Sequence, residues 1–181
     1  MNDVHPYVKL ARMTVERLLK GETPPVSGAA AGSDAELWNK ERACFVSIKT
    51  SDGALRGCIG TILPTQSGLD LEIIANAVAA STRDPRFPPM TPQELKNVTF
   101  SVDVLSLPEP VSDRGELDPS IWGVIVSQGF RRGVLLPDLE GVDTIEEQLA
   151  IAAQKAGIGR PDSGVTIERF RVDRYKEGVL L

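Results

Sequence analysis

The chain is poor in the residues that most metal and hydrolytic sites require. Its 181 residues hold one histidine and two cysteines. A Ser-His-Asp triad would have to use His5, and neither a multi-histidine site nor a cysteine cluster of the zinc type can be assembled, so no metal site is expected in this chain. His5 stands directly before Pro6 at a helix start, which predicts a capping or surface role for its ring. No apolar run approaches the roughly 20 residues that a membrane helix needs, so a soluble protein is expected. "MNDVHPYVKLARM" lacks the basic and apolar stretches of a secretory signal, and the cytoplasm is the expected location. Positive charge is also in deficit. With 20 Lys and Arg against 25 Asp and Glu, the net charge of −5 argues against a broad phosphate-neutralising face and against nucleic acid as a partner. Carboxylate, guanidinium, ammonium, hydroxyl and thiol remain for chemistry.

Residues 1–181 are read as one domain, long enough to bury a core without disulfides or metal. Tyr7, Leu10, Ala11, Thr14 and Leu18 recur at helical spacing between Pro6 and Gly21. Residues 22–34, "ETPPVSGAAAGSD", lack periodicity and read as a mobile surface loop. "ACFVSIKT" and "ALRGCIGTI" form two strands around a turn at Ser51-Asp52-Gly53. Leu69 to Thr82 is an apolar helix, and the prolines of "RDPRFPPMTPQEL" end it. "VTFSVDVLSL" is a strand, "GVIVSQGFRRGVLLP" a second hairpin, and Thr144 with Glu147 a capping box opening a helix that Gly157 closes. "VTIERFRVDRY" is read as one final strand.

The chain also echoes itself. Twice it runs hairpin, Arg-Gly, apolar strand, Leu-Pro, helix, first through Arg56-Gly57 and Leu63-Pro64, then through Arg132-Gly133 and Leu136-Pro137. After the shared Arg-Gly the first copy has Cys58 and the second Val134, so an aliphatic side chain suffices structurally in one copy.

A turn centred between Asp52 and Gly53 pairs Thr50 with Leu55, Lys49 with Arg56 and Ser47 with Cys58. Arg56, Cys58, Lys49 and Ser47 would then share one face, with Leu55, Ile59, Ile48 and Val46 on the other, where they can join the core. Two cations facing each other call for an anion or carboxylate, and a thiol beside them would be drawn toward thiolate. The competing reading makes Cys58 a small buried hydrophobe. Gly57 and Gly60 suit the close approach of a ligand or of another backbone. The proline-stiffened "RDPRFPP" segment adds Arg83, Asp84 and Arg86, which either pair locally or grip a carboxylate or phosphate.

"LRGCIGT", "STRDPRFPPMTPQEL", "SVDVLS", "GVIVSQGFRRGVLLP" and "KAGI" together resemble the AMMECR-domain family, whose prokaryotic members are labelled AmmeMemoRadiSam system protein A. The resemblance runs from "HPYVKLAR" to the final strand, with Leu55 to Gly60 as the signature and the "RDPRFPP" block in register. It implies an α+β fold of mainly antiparallel sheet with flanking helices, organised as two lobes around a cleft where the signature lies. It implies two partners, a Memo-type protein and a radical SAM enzyme, which would bring metal and cofactor. This chain itself would carry none. Ala153 replaces a frequent family cysteine and "GRPDSG" lacks the common tryptophan, which weakens any scheme needing a second thiol.

The resulting expectation is a component of a Memo and radical SAM modification system with an anion-receptive cleft. Cys58 and Arg56 would be its reactive residues, and Lys49, Arg56, Gly57, Gly60, Arg83, Asp84 and Arg86 would bind a small anionic ligand. The alternative is a noncatalytic scaffold that docks partners through the LRGCIG strand.

Overall fold

In the computed structural model, residues 4–32, 35–159 and 164–178 are described. Within them Pro6–Leu19 form helix α1, Ala35–Trp38 a single turn α2, Leu69–Thr82 helix α3 and Ile145–Lys155 helix α4. The strands are β1 Cys44–Thr50, β2 Leu55–Gly60, β3 Val98–Leu105, β4 Glu109–Pro110, β5 Gly123–Gln128, β6 Arg131–Leu135, β7 Thr166–Phe170 and β8 Val172–Lys176. They make two four-stranded sheets, ordered β2-β1-β3-β8 and β4-β7-β5-β6. Among the described residues no helix is long and apolar enough to cross a membrane.

The helix ends follow local chemistry. His5 caps α1, its Nδ1 accepting from the Tyr7 amide at 3.3 Å while its ring stacks on Tyr175. Thr144 and Glu147 form the reciprocal capping box of α4, and Gly157, at φ 67°, ends that helix as the Ile158 amide reaches back to the Ala153 carbonyl. Of the segment expected to be a mobile loop, Gly28–Ala31 form a 3₁₀ turn, and the Gly28 amide donates to Asp70 Oδ2 at 2.8 Å. Residues 33 and 34 lie outside the described residues, as do 160–163 of "GRPDSG".

The chain divides into two compact units. The first comprises Met1–Val104 and Asp173–Leu181, the second Leu105–Val172. In the first, α1 and α3 cover one face of the sheet, and Val46, Ile48, Phe100 and Val102 pack with Leu10, Val15, Ile73 and Ala77 into its core. In the second, α4 lies on β5 and β6, and Val124, Val126 and Leu135 pack with Leu149 and Ala152. The stretch read as one final strand is two. The chain leaves one sheet after Phe170 and enters the other at Val172, and alternation alone cannot reveal that Arg171 lies between ladders.

The sequence echo has a structural counterpart: each unit contains an antiparallel hairpin with a helix lying on its second strand. At the shared Arg-Gly, a side chain on Gly57 would collide with the Ala80 carbonyl of α3, and one on Gly133 with the Ala152 carbonyl of α4. Both glycines therefore serve close approach of helix backbone to strand. The copies differ in register. Ser127 pairs with Arg132 in an unbroken ladder, whereas the first hairpin passes from Ile48↔Gly57 to Lys49↔Leu55 and leaves Arg56 as a bulge.

Gly57→Ala and Gly133→Ala should each cost about 1–3 kcal/mol by overpacking, seen as a fall in Tm of roughly 2–10 °C. Gly159→Ala, where an added methyl meets nothing, should leave thermal unfolding unchanged. Unaltered melting of the first two variants would show that the helices do not seat directly on these strands.

Candidate functional site

Strand β2 lies at the edge of its sheet, so its outer N–H and C=O groups have no neighbouring strand. The "RDPRFPPM" block occupies that edge with side chains. The Cys58 amide donates to Asp84 Oδ2 at 2.9 Å, and the Cys58 carbonyl accepts from Arg86 Nη2 at 3.2 Å. Asp84 and Arg86 are themselves joined, Nη2 to Oδ2 at 2.7 Å and Nε to Oδ1 at 2.9 Å. One ion pair thus takes the place of one residue of a missing strand.

The bulge removes Arg56 from the face it was expected to share with Lys49. Its guanidinium is buried and turned to the segment after α3, with Nε on Glu94 Oε1 at 2.5 Å and Nη2 on the Pro88 carbonyl at 3.0 Å. Glu94 also accepts from the Thr91 amide at 2.7 Å and hydroxyl at 2.9 Å. The Phe87 ring is approached by Arg56 and Arg86, at 5.8 and 5.6 Å. Leu55, expected in the core, takes the place opposite Lys49 and is exposed. At the far end of the signature Thr61 Oγ1 donates to the buried Glu72, which also accepts from the Thr65 and Gln66 amides at 2.8 and 2.9 Å. Three carboxylates, Glu94, Asp84 and Glu72, therefore hold the start, middle and end of "LRGCIGT".

The two thiols have opposite surroundings. Cys44 is fully buried on the helix-covered face and is pushed up to about 12 by that burial, with the Asn76 amide 3.6 Å from its sulfur. Cys58 lies opposite Ser47, which in turn lies opposite Ser101, so that three small polar side chains cross the other face in one row. The Ser47 hydroxyl donates to Cys58 Sγ at 3.1 Å, and Cys58 is half-buried. Both thiols are free, in keeping with faces that point apart.

Of the residues singled out for anion binding, the structure brings Arg56, Gly57, Cys58, Asp84 and Arg86 together and leaves the others apart. Gly57 is committed to α3, and a side chain on Gly60 would collide with the Phe45 ring. Arg83 is exposed at the end of α3. Lys49 is exposed and lies with Thr99 on β3 rather than with Arg56. Because Arg56 and Arg86 are each paired with a carboxylate, the net positive field expected at Cys58 is largely cancelled. Glu94 and Glu72 were not anticipated. For Glu94 a signal existed, since Thr91-x-x-Glu94 is a capping box, but Glu72 looks like one polar residue on an apolar helix. Among the described residues no three His, Cys, Asp or Glu side chains converge as a metal site would need.

The AMMECR1 family model matches residues 8–176. A protein of Thermotoga maritima is 53% identical over 95% of this chain and 98% of its own length. A protein of Clostridium acetobutylicum is 47% identical over 95% of this chain, which spans 36% of that longer protein. The fold is similar to the crystal structure of an uncharacterized protein from Pyrococcus horikoshii, with a TM-score of 0.83 at 31% identity, covering 94% of this chain and 89% of the other.

The clamp has a pH signature. Hydrogen bonding from Arg86 holds the Asp84 carboxyl well below the usual carboxylate range, with the Cys58 and Arg86 amides adding to it. Arg56, and then Thr91, lower Glu94 to about 2. Both groups bind protons more weakly folded than unfolded, so their stabilisation is complete above the ordinary carboxyl pKa of about 4 and is lost as pH falls toward 2. Thermal unfolding should show a steep fall in Tm between about pH 4.5 and 2.5. Asp84→Asn should be less stable at pH 7 and should lose less over that interval. An acid profile identical in wild type and variant would remove Asp84 from the clamp.

Proposed function

This chain belongs to the AMMECR1 family, and from that membership we propose that it acts as one component of a Memo and radical SAM modification system, with Cys58 as the group it presents to substrate. The observation that carries this reading is the closed edge of β2. With the Cys58 N–H and C=O taken by Asp84 and Arg86, the thiol on the open face is what this position offers to another molecule. Arg56 and Arg86 then serve as positioning residues, fixing the strand and through it the sulfur.

Docking of a partner by strand addition, the other reading of the signature, needs those same backbone groups free. They are occupied at Cys58, so a scaffold role for the signature would have to use its side-chain face rather than strand addition. The length of the Clostridium relative supports a multi-component setting, because there the homologous stretch is about a third of one polypeptide. In such a system metal and SAM chemistry belong to the partners, and this chain contributes a held thiol and the face around it.

The cysteines offer a first test. Iodoacetamide at pH 7 should label Cys58 well before Cys44 in folded protein, because Cys44 is buried and protonated. Co-expressed with a Memo-type and a radical SAM protein, Cys58→Ala should co-purify with both as wild type does. Products seen by mass spectrometry in the wild-type combination should disappear. Unchanged products would overturn the thiol's role, and loss of co-purification would transfer the signature to docking.

A further inference from the structure

Arg56 and Arg86 are already engaged, so the cationic side chains free for a ligand must be sought elsewhere in the first unit. Three lysines line a pocket of about 440 Å³ beside the β1-β2 turn. Lys49 enters it from the end of β1, Lys96 from the 3₁₀ segment Pro92–Asn97, and Lys176 from the end of β8. Thr99 and Ser101 of β3 add hydroxyl groups to the lining. Among the described residues none of the three ammonium groups has a carboxylate within ion-pair distance.

The acid in the lining does not offset them. Glu177 accepts from Arg12 Nε at 2.5 Å and Nη2 at 2.7 Å and from the Phe100 amide at 2.8 Å, so its charge is met from the side of α1. Asp52, in the turn, accepts from Thr50 Oγ1 and the Ala54 amide and is not among the residues that line the pocket. Three cations around one concavity, without a carboxylate partner among the described residues, repel one another unless an anion joins them.

We infer that this pocket binds a small molecule through an oligophosphate group, contacted by Lys49, Lys96 and Lys176 with Thr99 and Ser101 as hydroxyl donors. Lysine acts as a point-charge phosphate ligand, and cations arriving from three elements suit an anion with charge spread over more than one centre better than a single carboxylate. The volume falls within the range of small-molecule sites, and three lysines in a hollow are not the long basic stripe that a nucleic-acid backbone follows. The Ser101 position also opens the row that ends at Cys58, two strands away or about 10 Å across the sheet, so a phosphate held here leaves the rest of its molecule within reach of the thiol.

Inorganic pyrophosphate is the probe. Isothermal titration of the full chain should show saturable 1:1 binding that weakens as salt is raised. Lys49→Gln, Lys96→Gln and Lys176→Gln should each weaken it roughly tenfold. Lys20→Gln, at the end of α1 and outside the pocket, should have no effect. Cys58→Ala should bind like wild type, which separates this inference from the thiol reading. Amide NMR shifts should concentrate at Ser51, Thr99, Ser101 and Lys176. Absence of saturation at millimolar pyrophosphate, indifference to the three substitutions, or tighter binding of citrate than of pyrophosphate would overturn it.

Discussion

An edge strand that carries a signature has to solve a problem of hydrogen bonding before it can do anything else. Its outer amides and carbonyls must be satisfied, or they remain open to pairing with whatever strand comes by. Here the solution is the Asp84–Arg86 pair, which offers β2 a carboxylate oxygen and a guanidinium N–H in place of a neighbour's backbone. The rest of the site follows from that choice. A buried carboxylate is tolerable only with its donors in place, so Arg86 has to be there. The chain around them has to be stiff, which Pro85 between them and Pro88 and Pro89 beyond Arg86 ensure. Arg56 then closes the same loop from the other side through Glu94 and the Pro88 carbonyl. What looked like a collection of ligand-binding arginines is a brace.

This division of labour explains why the free lysines and the paired arginines are different residues. Arginine's planar fork can hold a carboxylate and a carbonyl at once, which is what a brace requires. Lysine's flexible ammonium is poorly suited to fixing a strand, and the three around the pocket make no such bonds among the described residues. The two tasks sit on the same sheet. β1 contributes Ser47 to the thiol and Lys49 to the pocket, two residues apart and therefore on the same face.

Most of the fold was legible in the chain. Helical spacing with Pro and Gly at the ends marked α1, and the capping box at Thr144 marked α4. The Ser47–Cys58 pairing followed from the turn at Asp52-Gly53. The bulge at Arg56 was not legible, because a ladder with one extra residue leaves the same alternation of residue types as one without it. From it came the misplaced pairing of Lys49 with Arg56 and the misplaced burial of Leu55. The split at Arg171 escaped for a related reason. Pattern reports that residues are extended, not which sheet they extend. Glu72 was silent because a carboxylate's partner is decided by tertiary approach, and the capping box at Thr91 marks Glu94 without revealing its pairing with Arg56.

The position of the last strand has a temporal consequence. The second unit ends at Val172, where β8 begins, while the first unit needs β8 beside β3 to complete its sheet. On a ribosome, the inserted unit therefore has its whole sequence in hand while its host still waits for a strand. Lys176 and Glu177 arrive with that strand, so the lysine pocket is completed only once β8 has emerged, after the brace around β2 has all of its residues.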